Sequence, residues 1–253
     1  MSPSSKRTGV IDLDAFNKAC TRLQTLVDDN PTQAITEARK LPSEKPLGEI
    51  HFTSLKACIL IDAGSHAKNK RAIEEGVALF EKLLLKSPKE ASYHYNLGNG
   101  LMALADLEPT GNAWYLSTAA TRRRARSHFQ KAISSDDNAT VLSTAFTNLG
   151  NALLRTHRWV EAYDAYTSAL NRDNSNAVAA TGAAKVLLRC VARGIGNKRI
   201  LQSVAAHHLK TAHLHPGRLA GLAGARAQKQ LAQLMQTRLP RLQTTGAKRR
   251  RRL

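Results

Sequence analysis

The four-residue phrase Asn96-Leu97-Gly98-Asn99 returns as Asn148-Leu149-Gly150-Asn151 in a chain with no low-complexity character there. Around the second copy, Leu149, Gly150 and Leu153 are followed by Ala162, Tyr166 and Ala169. Small residues at helical spacing let two helices cross closely, and bulky neighbours fill the gaps beside the crossing. The latter half of the pattern, small-x3-bulky-x2-small or aliphatic, recurs at Gly76, Phe80 and Leu83, at Ala125, Phe129 and Ala132, and at Ala205, Leu209 and Ala212. The step from its last position to the next small position is 15 residues from Leu83 to Gly98 and again from Ala169 to Ala184. Such a chain folds as a succession of helix pairs.

Composition agrees. Only 5% of the residues are aromatic while Ala and Leu abound, which favours helices over sheets. With 253 residues and 42% hydrophobic content the chain can bury a sizeable core.

The pattern resembles the tetratricopeptide repeat, W-x2-L-G-x2-Y, then A-x3-F, then Pro, with Phe146 in place of the Trp. The resemblance implies an all-α, right-handed α-solenoid of about four to five TPR-like helix pairs. A degenerate pair is expected over residues 12–47, where Ala34, Ala38, Leu41 and Pro46 lead by the same step of 15 to Leu55-Lys56. Four repeats follow over 48–216, at 48–88, 91–138, 143–176 and 177–216. The first, second and last are over length by 8, 15 and 9 residues, inserted between their two helices. Residues 1–11 are expected to be disordered, 217–239 to form a capping helix, and 240–253 to be a disordered basic tail.

In tetratricopeptide repeats the first helix of each pair faces a concave groove, and the motif's sixth, ninth and thirteenth positions look into it. By that resemblance the groove columns are Ser54, Asn96, Asn148 and Gly182; Ala57, Asn99, Asn151 and Lys185; and Ile61, Ala103, Arg155 and Arg189. The expected site is therefore Asn96, Asn99, Asn148 and Asn151 in the middle, with Arg155, Lys185 and Arg189 toward the C-terminal end. An amide both donates and accepts, so a column of Asn satisfies the backbone of an extended peptide whatever its side chains. The cations would prefer an acidic residue or a terminal carboxylate.

The net charge of +19 is unevenly placed: no Asp or Glu follows Asp173, and the 80 residues after it hold 16 Lys and Arg. An anionic partner is implied. Candidates for nucleic-acid contact are Arg122, Arg123, Arg124 and Arg126 beside Trp114 and Tyr115, and the tail cations Lys248, Arg249, Arg250, Arg251 and Arg252. If all five tail cations neutralise phosphate, the log-log salt slope is about −4.5. A nuclear import signal has the same composition. Cys20, Cys58 and Cys190 lack CxxC spacing, the N-terminus lacks a leader's apolar stretch, and no apolar run spans a bilayer. A soluble, cytoplasmic chain is expected.

No nucleophile motif, phosphate loop or telling carboxylate pair is present, so neither catalysis nor a cofactor is expected. His207, His208, His213 and His215 lack acidic or Cys neighbours and are read as helix-end residues rather than metal ligands. The stretches YHYNLGNGLMALADLE and TNLGNALLRTHRWVEAYDAY are also similar to the repeat region of bacterial proteins carrying a HEPN ribonuclease domain. Arg123 and His128 match that family's R-x4-6-H spacing, but they fall in the second helix of a repeat. The leading expectation is a non-catalytic scaffold binding a protein or peptide segment, acidic in character. The alternatives are a nucleic-acid-associated accessory protein and a remnant of such a ribonuclease.

Overall fold

The computed structural model describes residues 13–41, 48–108, 114–135 and 138–215. The expectations for residues 1–11, the cap at 217–239, the tail at 240–253 with Lys248–Arg252, Pro46, and the side chains of Trp114 and Tyr115 lie outside what is described. Among the described residues the structure is all helical, with α1 (Leu13–Asp29), α2 (Pro31–Arg39), α3 (Gly48–His66), α4 (Lys70–Lys86), α5 (Ala91–Leu107), α6 (Trp114–Ser135), α7 (Ala139–Arg155), α8 (Trp159–Arg172), α9 (Ala177–Ala192) and α10 (Lys198–Leu214).

Five helix starts are fixed locally by one residue type. Asn30, Asn69, Asn138, Asn176 and Asn197 each accept a backbone N–H of the first turn through the side chain, a cap contributing about 1 kcal/mol. Asn176 does more than cap α9. Its Nδ2 donates to Ser143 Oγ at 2.8 Å and to Thr147 Oγ1 at 3.0 Å, and Ser143 Oγ donates to the Ala169 carbonyl at 2.9 Å. These buried bonds set the register of α7 against both α8 and α9.

Packing builds hairpins and then stacks them. α3 packs on α4, α5 on α6, α7 on α8 and α9 on α10, and each hairpin meets the next through α4–α5, α6–α7 and α8–α9. The odd-numbered helices also touch one another, α1 with α3, α3 with α5, α5 with α7 and α7 with α9. They therefore line one face, the inner one.

One core runs from α3 to α9, and its largest fully buried side chains include Tyr166, Phe80 and Phe129. Two of these rings, Phe129 and Tyr166, lie where glycines stand. A Cβ on Gly98 would come 2.6 Å from Phe129 Cε1, one on Gly150 2.7 Å from Tyr166 Cε1, and one on Gly182 2.4 Å from the same atom. Tyr166 is thus clamped between α7 of its own unit and α9 of the next. Ala125 and Ala162 are fully buried, as expected for small residues at helix crossings.

Gly182→Asn would restore the residue type that Asn96 and Asn148 hold in the same column, yet it must collide with a buried ring. It should destabilise the protein by about 1–3 kcal/mol, as should Ala162→Leu, the usual range for overpacking. Chemical denaturation of both variants checks this; unchanged midpoints would contradict the crossing geometry.

Candidate functional site

On the face where the odd-numbered helices meet, the expected groove positions of α5 and α7 come together. The centre of this face is a row of hydrogen-bonded polar groups. Asn148 Nδ2 donates to Asn99 Oδ1 at 2.8 Å and to the Tyr95 hydroxyl at 3.2 Å, while Asn151 Nδ2 donates to Asn148 Oδ1 at 3.4 Å. The Tyr166 hydroxyl donates to Asn151 Oδ1 at 2.7 Å. Every step has the same direction, which fixes the orientation of the amides. The three expected residues Asn99, Asn148 and Asn151 thus come together, and each keeps unused hydrogen-bonding capacity on a half-buried surface. Asn96 is half-buried beside this row and is not part of it.

Tyr95 and Tyr166 complete the row, and neither stands in the expected columns. Tyr166 reaches the groove because Gly182 has no side chain: the hydroxyl arrives through the space that an Asn in that column would fill. Burial pushes the Tyr166 hydroxyl's pKa up, opposed by the positive charges of Arg155 and Arg189. Burial likewise raises Tyr95, countered by its hydrogen bond with Asn99 and reinforced by the charge of Asp62.

Beyond Tyr166 the groove turns cationic. Arg155, Lys185 and Arg189 all act on one another or on Tyr166: Lys185 is held below the ordinary lysine range by burial first and by Arg189 and Arg155 next. Arg155 also donates to Asp106 of α5, a carboxylate that the expected columns do not include. Asp106 lies 3.9 Å from Arg122 as well.

The N-terminal end departs from the expected columns by one residue. Ala57 and Ile61, expected to face the groove, are 0% and 3% exposed. A Cβ on Gly76 would come 2.8 Å from the Ala57 carbonyl oxygen and 2.8 Å from Ile61 Cγ1. Ala57 is therefore the small residue at that crossing, and Lys56 instead donates to the Arg39 carbonyl at 3.1 Å. Cys58 and Asp62 take over the groove columns, within electrostatic reach of Tyr95. The step of 15 residues fails here because it is counted from a unit whose second helix, α2, has only 9 residues.

The arginine run on α6 does not present one uniform strip. Arg122 lies against the end of α5, 3.5 Å from the Ala105 carbonyl, and Arg124 is 2.7 Å from Glu81, whereas Arg123 is exposed and Arg126 half-buried. His128 packs inward on His94. His94 Nε2 lies 3.0 Å from the Pro88 carbonyl, so it donates there, and its Nδ1 accepts from His128 Nδ1 at 2.9 Å. Burial, His94 and the nearby Lys131 and Arg124 hold His128 at about 4, a neutral imidazole. Among the described residues no cluster of His, Cys, Asp or Glu could hold a metal ion.

No family model matches the chain, and no curated protein matches it. Solved structures do resemble it. The one titled "MamA RS-1 ArsTM double mutant" is 14% identical, with a TM-score of 0.52 over 85% of this chain and 95% of that one. A second, "MamA MSR-1 C2", is 15% identical, with a TM-score of 0.48 over 81% of this chain and 95% of that one. At such identity the first likeness speaks to the fold alone, a tetratricopeptide-like α-solenoid. The similarity to repeat proteins carrying a HEPN domain finds no support in these comparisons.

The histidine pair gives a pH dependence whose sign can be worked out. Both rings have folded-state pKa values below the ordinary one, as has His208 through burial and then His207. Between about pH 6.5 and 4 the unfolded chain binds more protons at these histidines, so their contribution to stability falls as pH drops through that window, while Asp62, raised by burial to about 6, opposes the change. Melts at pH 7 and pH 5 should show the loss, and His128→Gln should lessen it. An equal loss in the variant would contradict the neutral pair.

Proposed function

We propose that this chain is a non-catalytic scaffold whose concave groove holds an extended or helical segment of a partner protein. The observation that carries the reading is the oriented amide row, Asn99 to Asn148 to Asn151, running through Tyr166 into Arg155, Lys185 and Arg189. Pre-ordered amides supply backbone hydrogen bonds without an ordering cost at the moment of binding. The cations set a preference for an acidic side chain or a terminal carboxylate at the α7–α9 end. Asp106 pairs with Arg155, and Lys185 and Arg189 extend the positive charge along α9.

A library of acidic octapeptides, with free and amidated C-termini, tests the groove by fluorescence anisotropy. Lys185→Glu combined with Arg189→Glu should weaken the tightest peptide at least tenfold, since hydrogen bonds to charged groups contribute about 1.5–3 kcal/mol and 1.4 kcal/mol is a factor of ten. The exposed α4 variant Lys82→Glu should bind as the native chain does. Equal loss in both variants, or none in the groove variant, would refute the groove as the binding surface.

A further inference from the structure

The turns between α7 and α8 and between α9 and α10 form one edge of the solenoid, at the helix ends that also carry Arg155 and Arg189. Arg193, at the end of α9, lies with its guanidinium carbon 4.3 Å from the centroid of the Trp159 ring and ties the two turns together. Three large aliphatic side chains stand out at this edge. Val160, Ile195 and Ile200 are 76%, 50% and 61% exposed, next to the cations Arg193, Lys198 and Arg199.

A comparison within the chain shows that Lys198 and Arg199 are out of place for folding. α4 and α10 begin with the same words, Asn69-Lys70-Arg71 and Asn197-Lys198-Arg199, and both Asn residues cap. Cations in a first turn oppose the helix dipole. In α4 that opposition is relieved: Lys70 Nζ is 2.6 Å from Glu108 and Arg71 Nε 3.5 Å from Glu75. In α10 the place of Glu75 is held by Ser203, and no Asp or Glu occurs after Asp173. Among the described residues neither Lys198 nor Arg199 forms an ion pair.

We propose that this edge docks on an anionic lipid surface, with Ile195, Ile200 and Val160 entering the boundary of headgroups and acyl chains and Arg193, Lys198 and Arg199 lying among the headgroups. A nucleic-acid strand would use the cations but leave three aliphatic side chains in water, and the face of the Trp159 ring is already covered by Arg193. An anionic bilayer uses both kinds of group. No helix among the described residues is long and apolar enough to cross a membrane, so the contact is peripheral. Gly194 and Gly196, at φ of +70° and +74°, fold the turn so that Ile195 stands at its tip.

Co-sedimentation of the full chain with phosphatidylcholine vesicles, with and without phosphatidylserine, tests the proposal. The native chain should prefer the anionic vesicles. Lys198→Gln with Arg199→Gln should lower that partition about thirtyfold, from about 1 kcal/mol per basic residue near the surface. Its melting midpoint should stay level or rise, since two cations leave a helix N-terminus. Ile195→Ser with Ile200→Ser should lower vesicle partition at least tenfold while leaving binding to a single-stranded RNA homopolymer unchanged. The proposal is overturned if the native chain shows no preference for phosphatidylserine, or if both double variants bind vesicles as the native chain does, leaving the tail cations as the anchor. It is equally overturned if the serine variant keeps its vesicle binding while the glutamine variant loses vesicles and RNA alike, the behaviour of a plain polyanion site.

Discussion

Contact between an aromatic ring and bare backbone governs this solenoid. Tyr166 and Phe129 fill spaces that exist only because Gly98, Gly150 and Gly182 lack a Cβ. A ring in that position gains dispersion contact on both faces and excludes water from the crossing. Because the ring is rigid, the separation of the helices around it is set, and with it the spacing of the inward positions that build the groove.

From this constraint the site follows in an ordered way. Gly182 removes one amide from the column that Asn96 and Asn148 occupy, and the Tyr166 hydroxyl replaces it, donating a hydrogen bond to Asn151. The row is thereby continued from amide to phenol, and the phenol is the point at which Arg155 and Arg189 begin to act. Core packing and groove chemistry share one side chain. Asn176 makes a similar double use of an amide, capping α9 while donating to Ser143 and Thr147.

Much of the architecture was legible in the sequence, because steric requirements at a crossing leave few residue types to choose from. Gly98, Gly150, Ala125 and Ala162 announce the helix pairs, and Asn99, Asn148 and Asn151 announce the middle of the groove. Gly182 was not legible in the same way: read by column it belongs to the groove surface, whereas it is buried against a ring from the preceding unit. The partner of a glycine cannot be inferred from the glycine itself. Register on α3 failed for a different reason, since counting across a short and degenerate helix carries no packing information, and Ala57 and Ile61 turn into the core while Cys58 and Asp62 come within electrostatic reach of Tyr95. Asp106 is not legible in the sequence because its role depends on Arg155, nearly fifty residues away.

The charge asymmetry has a reading in these terms. In the N-terminal half, cations such as Lys70, Arg39 and Arg124 find carboxylates on neighbouring helices, so charge there serves the fold. After Asp173 no such partners exist in the sequence, and stability in the last pair rests on buried alanines and leucines of α9 and α10. The central claim, that one tyrosine ring is held between two glycines of successive units, is tested most directly by proton NMR. Cross-relaxation from the Tyr166 ring protons to the Hα protons of both Gly150 and Gly182, with upfield ring-current shifts of those protons, is the result expected. Cross-peaks to one glycine only, or to neither, would contradict it.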